Sequence, residues 1–312
     1  MVLESLISEA QAVRKPQAML FLGFVFSCVS MLVVYFFFRE SASFLAIAFI
    51  TIASAPIVHA IFIKEEEREA RVPIMSETFL ERNMELISVY AFFTLGVILG
   101  YAFMYVLTPA EPIKLCVENV CTMLPTRAEL FAEQEETLAY ISKIAQGTTG
   151  RFITSEQVDM GEFFYWFDII LINNANVLTV AVLFSFLFGA GAIFLISWNA
   201  SVVGVWIGKS ILASNHFKFF GLIPHGIPEF MGYFLGAIAG GLISIALSKK
   251  KHFTHEIERI ATDSFLLLVA AFISLVFGAA IEAGFKSGMN SLAITLSILY
   301  IVALCIAMVK VR

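Results

Sequence analysis

Seven uncharged, apolar runs divide the chain: Ala18–Phe38, Ala42–Ile63, Leu86–Leu107, Val177–Trp198, Phe230–Leu247, Ser264–Ile281 and Ser291–Val309. Each is close to or above the roughly 20 residues with which an α-helix crosses hydrocarbon. Lipid offers no hydrogen-bond partners, so the backbone of each run must satisfy itself, and a helix does this within one segment. Composition agrees, with 59% apolar and 14% charged residues, where a soluble domain carries about 25% charged. The expectation is an all-α, polytopic transmembrane helical bundle. The formal charge of −5 is small and the acidic residues fall mainly in two loops, so no nucleic-acid-binding surface is indicated. The first run has 21 residues and is followed directly by Arg39-Glu40; it is too long for a signal-peptide core and reads as a retained span.

An eighth candidate, Ser201–Ala213, has only 13 residues and is interrupted by Gly204, Gly208 and Lys209. Charge placement decides whether it crosses. If it does, and the N-terminus is inside, the cytoplasmic side holds twelve cations: Arg14, Lys15, Lys64, Arg68, Arg71, Arg82, Lys249, Lys250, Lys251, Arg259, Lys310 and Arg312. The short outer loops then hold Arg39, Lys218 and Lys286 alone. Lys and Arg in short loops stay on the cytoplasmic side. Seven spans would put the tri-lysine cluster and the C-terminus outside. The reading is therefore about eight spans in the cell membrane, one of them short and broken, with both ends cytoplasmic.

Three regions follow: residues 1–75, a two-helix hairpin and cytoplasmic turn; 76–250, a membrane core with an extracytoplasmic loop at 108–176; and 251–312, a two-helix extension. The run Lys64–Arg71 reads as a solvated turn leading past Pro73 and a potential N-cap at Ser76 into the third span. Cys28 and Cys305 lie in apolar runs and pack as small hydrophobes. Cys116 and Cys121 share the outer loop and form either a disulfide, if that side is oxidising, or two free thiols. At the end of the same loop, Gly161–Asn174 mixes aromatic with polar residues, a pattern suited to a helix lying at the interface.

Glycines four apart mark three helix faces: Gly96 and Gly100; Gly204 and Gly208; and Gly232, Gly236 and Gly240. Such ladders let a neighbouring backbone approach closely, within the chain or in an oligomer. The segment from Asn199 to Glu229 is the most unusual: a turn at Asn199, the short span, then Pro224, His225, Gly226, Pro228 and Glu229. Pro228 is placed to start the next helix, with Glu229 at its positive end. Lys209 is costly inside a membrane and either snorkels or pairs, Glu229 being the expected partner. Glu282 reads as interfacial. His225 and Glu229 are four apart but lack a second histidine pair, so no metal and no cofactor is expected. Glu66, Glu67 and Arg71 match the EExxxR element of membrane CAAX-type proteases, yet the phenylalanine such enzymes place four before a histidine is missing: Leu212 precedes His216 and Gly221 precedes His225.

Taken in order, Ile172-Asn173-Asn174 before an apolar span, Phe188-Gly189-Ala190-Gly191, Asn199 with Gly204 downstream, and Pro224-His225-Gly226 followed by Glu229 resemble the stage II sporulation protein M family over about residues 86–250. The resemblance implies an integral membrane protein without established catalytic activity. The family's namesake anchors peptidoglycan-degrading partners during engulfment; many members come from organisms that make no spores, and archaeal forms carry extra spans. It implies a structural or functional centre at Asn173, Asn174, Gly191, Asn199, His225, Gly226 and Glu229, with Lys209 nearby. Two functions compete: a non-catalytic scaffold recruiting protein partners of a cell-envelope complex, and a small-solute transporter or channel centred on the broken span 199–229. A surface enzyme is the third option, without a motif to carry it.

Overall fold

A computed structural model describes residues 17–38, 41–69, 79–117, 120–149, 160–188, 191–214, 218–248 and 255–309. The apolar runs become helices α1 (Gln17–Phe37), α2 (Ala42–Glu69) and α3 (Phe79–Leu107), followed by strands β1 (Lys114–Val117) and β2 (Val120–Met123). Two loop helices come next, α4 (Arg127–Leu130) and α5 (Ala132–Thr149). The chain then continues as α6 (Met160–Phe188), α7 (Ala192–Leu212), α8 (Lys218–Ser248), α9 (His255–Lys286) and α10 (Asn290–Val309). Among the described residues, eight helices are long and apolar enough to cross a membrane: α1, α2, α3 and α6 to α10.

Four boundaries differ from the expectation. The short broken span is a full one, α7, of 21 residues, and Asn199 lies in its middle instead of at a turn. Local bonding explains this: Asn199 Nδ2 donates to the Leu195 carbonyl at 2.9 Å and Ser201 Oγ to that of Trp198 at 2.7 Å. Polar side chains satisfied by their own helix need no turn. The chain instead leaves the helix around Gly191, inside the run read as Val177–Trp198. Gly161–Asn174 is no separate interfacial helix but the first half of the 29-residue α6. Neither does Pro228 start a helix, since α8 already contains both Pro224 and Pro228. Finally, α2 stays helical to Glu69, so Lys64–Glu69 extends a helix and is not a turn. Ser76, Arg39, the tri-lysine cluster and both chain ends lie outside the described residues.

The spans form two groups. In one, α1 packs on α2 and α3, and α3 on α7; in the other, α8 packs on α6 and α9, and α10 on α9. The glycine ladders are the joints. A Cβ on Gly96 would collide with the Leu20 carbonyl of α1, and one on Gly100 would lie 2.7 Å from Ser27 Cβ. On Gly204 and Gly208 it would lie 2.6 Å and 2.8 Å from the Cβ atoms of Tyr101 and Tyr105. Gly232 faces Leu275 of α9, while Gly236 and Gly240 face Leu178 and Val182 of α6. All seven glycines therefore meet neighbours within the chain.

Residues 108–117 and 120–149 are folded onto the bundle. Cys116 and Cys121 are disulfide-bonded across a β1–β2 hairpin. Thr126 caps α4 reciprocally with Glu129. The module is then held from several sides: the Tyr35 hydroxyl donates to the Met123 carbonyl, Ser43 Oγ to that of Leu130 at 2.9 Å, and Arg127 Nε to that of Tyr105 at 3.0 Å. Phe131 and Gln134 are fully buried in the bundle.

Candidate functional site

Polar side chains gather where α6, α8 and α9 meet. On α8, His225, Glu229 and Tyr233 recur every fourth residue and so share one face. On α6, Asn174 is buried and acts as the hub. Its Nδ2 donates to Glu229 Oε1 at 2.9 Å, while its Oδ1 accepts from the Tyr233 hydroxyl at 2.9 Å and from Asn173 Nδ2 at 3.3 Å. One amide thus ties two helices together while meeting both its donor and its acceptor needs.

The third wall is α9, brought in by Gly278, where a Cβ would lie 2.7 Å from Glu229 Cγ and 3.4 Å from the His225 carbonyl oxygen. One and two turns further on, Glu282 and Lys286 pair at 3.3 Å, and the Lys286 ammonium lies 4.6 Å from the centre of the Trp166 ring of α6. Glu282 and Lys286 both act electrostatically on Glu229 and His225. Trp166 Nε1 and His225 Nδ1 are buried without a hydrogen-bond partner among the described residues. The Lys286 ammonium is held by Glu282, and Glu229 has no cation within ion-pair distance among the described residues. A carboxylate buried in a membrane without a close cation is costly and relies on its hydrogen bonds. Among the described residues no three of His, Cys, Asp and Glu gather closely enough to hold a metal ion.

Of the residues read from the sequence, Asn173, Asn174, His225 and Glu229 meet here. Gly226 is on the same helix, with nothing nearer to its would-be Cβ than Leu222 Cγ at 3.7 Å. Gly191 abuts Phe184 at the start of α7, and Asn199 is bonded within α7, both away from the cluster. Lys209 does not reach Glu229; it pairs with Glu135 of α5 at 3.6 Å, because the end of α7 meets the docked loop module. Tyr233, Trp166, Gly278 and Lys286 were missed. Tyr233 had a signal, its four-residue spacing from Glu229; Gly278 stands alone in its run and had none.

A family model described as Stage II sporulation protein M matches residues 89–285, taking in every residue of the cluster except Lys286, the last of α9. No curated protein and no solved structure matches the chain. The match spans well over half the sequence, and the chain belongs to the stage II sporulation protein M family.

Proposed function

We propose that this protein is a non-catalytic scaffold of the cell envelope, recruiting a protein partner through the module 108–149. The observation that carries the reading is the module's combination of rigid attachment and exposed apolar surface. Phe131 and Gln134 anchor it in the bundle, while Ile113, Leu115, Met123, Tyr140 and Ile141 stand exposed. Apolar groups held out on a rigid support favour a binding partner. In this reading the hairpin is extracytoplasmic, the site of an oxidised Cys116–Cys121 pair, and both termini are cytoplasmic in the plasma membrane. A membrane-impermeant amine reagent on intact cells should modify Lys114 and spare the tri-lysine cluster; modification of that cluster would overturn the orientation.

The scaffold itself is tested by purification from native membranes in mild detergent. A co-purifying protein should be lost with Ile113→Asp/Leu115→Asp and retained with Ile298→Ser, a change on an outward face of α10. A partnerless monomer, or a partner indifferent to the hairpin, would refute it. Glu229 favours a second reading, a transporter or channel, although the continuous α7 removes the break on which that option first rested. Solute flux in reconstituted vesicles that vanishes with Glu229→Gln would establish it; absent flux would dismiss it.

A further inference from the structure

A polar side chain deep on the lipid-facing side of a membrane helix can be met by its own helix or by another protein, since lipid offers nothing. Hydroxyls take the first course. Thr179 of α6, Thr262 of α9 and Thr295 of α10 are exposed, and each returns its Oγ1 to the carbonyl one turn back at 2.8 Å. A carboxamide cannot do so fully, because its oxygen needs an N–H donor and every N–H in mid-helix is already bonded. Asn176 of α6 is such a carboxamide. It is exposed, and its side chain has no hydrogen-bond partner among the described residues, whereas Asn173 and Asn174 beside it are bonded into the cluster.

Its position makes this costly. Along the axis Asn176 lies about 24 Å from the Met160 end of α6 and about 18 Å from the Phe188 end, well inside a hydrocarbon core of about 30 Å. Around the axis, Trp166, Ile170, Asn174, Leu178 and Ala181 are buried against the bundle. Asn176, two residues on from Asn174, points about 160° away from that stripe. It shares the outward face with Ile172, Thr179 and Leu183, all exposed. Steps of four, three and four residues are the a/d spacing of a two-stranded coiled coil, with Asn176 at an a position. In addition, α6 is an edge helix: 22% of its spanning stretch is buried, against 44% or more in every other span but α10.

We propose that the outward face of α6 is the interface of a homodimer, in which Asn176 meets Asn176 of a second copy. In a closed dimer of copies inserted the same way up, the two-fold runs along the membrane normal. The two α6 helices are then parallel, and each residue on the face meets its equivalent. The amide suits this arrangement because it is self-complementary: the nitrogen of each donates to the oxygen of the other. A single asparagine at an a position specifies the register and the number of strands, while the apolar residues around it pack as knobs. Between membrane helices, such hydrogen bonds and close packing supply the attraction that lipid does not. The interface uses no residue of the module 108–149, so it stands or falls apart from the scaffold reading.

Sedimentation equilibrium of the full chain in mild detergent tests it. The unaltered protein should be dimeric. Asn176→Leu should raise the dissociation constant about tenfold, through the loss of two interhelical hydrogen bonds. Asn176→Gln, which keeps the amide, should raise it less. A monomeric unaltered protein, or a dimer indifferent to Asn176→Leu, would overturn the proposal. Cross-linking in native membranes reads the face without touching Asn176, in a chain whose free cysteines Cys28 and Cys305 are changed to Ala. On mild oxidation Leu183→Cys should join two copies, and Ile298→Cys on α10 should not. Cross-linking no stronger at Leu183→Cys than at Ile298→Cys, or only to a different protein, would overturn the second copy as the occupant.

Discussion

Asn174 shows how much one side chain does at membrane depth. Replacing it by Leu leaves the Glu229 carboxylate and the Tyr233 hydroxyl without their partner, a loss of about 1–3 kcal/mol. Tyr233→Phe removes a single bond and should cost about 1 kcal/mol. Denaturation in mixed micelles would rank the two. Adding Glu229→Leu to Asn174→Leu should recover part of the loss, because the stranded charge goes with it; a fully additive pair would show that the two side chains do not act together. The glycines divide just as sharply. Gly240→Ala would set a methyl carbon 2.6 Å from the Val182 carbonyl oxygen and should reduce the yield of folded protein. Gly226→Ala meets only Leu222 Cγ at 3.7 Å, an ordinary contact, and should stabilise by roughly 0.5–1 kcal/mol, through the helix propensity of alanine.

The helices themselves were legible in the sequence; their ends were not. Runs of uncharged residues fix that a helix forms, since the chain has no other way to satisfy its backbone in lipid. A run does not say where one helix stops when the next follows without a charge between them, and Val177–Trp198 concealed such a break. Asn199 and the two prolines of α8 look like punctuation, but an asparagine bonded to its own helix does not interrupt it, and α8 runs on through Pro224 and Pro228 although each removes a backbone donor. Half of the candidate site was readable, because Asn174 and Glu229 are polar residues where apolar ones belong. Their meeting was not, since 55 residues separate them and Gly278 carries no side chain to announce it. The docking of α4 and α5 was equally hidden. Phe131→Ala should cost about 3 kcal/mol through lost packing, read as a lower midpoint of unfolding. Limited proteolysis should then cut within 108–149 and leave the spans intact.

At the scale of the molecule, two helix groups meet along α3, α7 and α8, while α10 touches the rest chiefly through α9. A 3.0 Å hydrogen bond between the hydroxyls of Ser274 and Tyr300 ties it to α9. Ending the chain after Gly288 should therefore leave a monodisperse, folded protein in size-exclusion chromatography; aggregation of the shortened chain would make α10 part of the core. The burial of Gln134 against Ser201 carries a consequence for biogenesis. The two residues are 67 positions apart, so when the hairpin leaves the ribosome the helix it must seat against has not yet been made. At about 5–20 residues per second the wait is roughly 3–13 s. During that interval Gln134 of the nascent chain lacks its Ser201 partner, and a chaperone or protease at the membrane has its best access to the protein then.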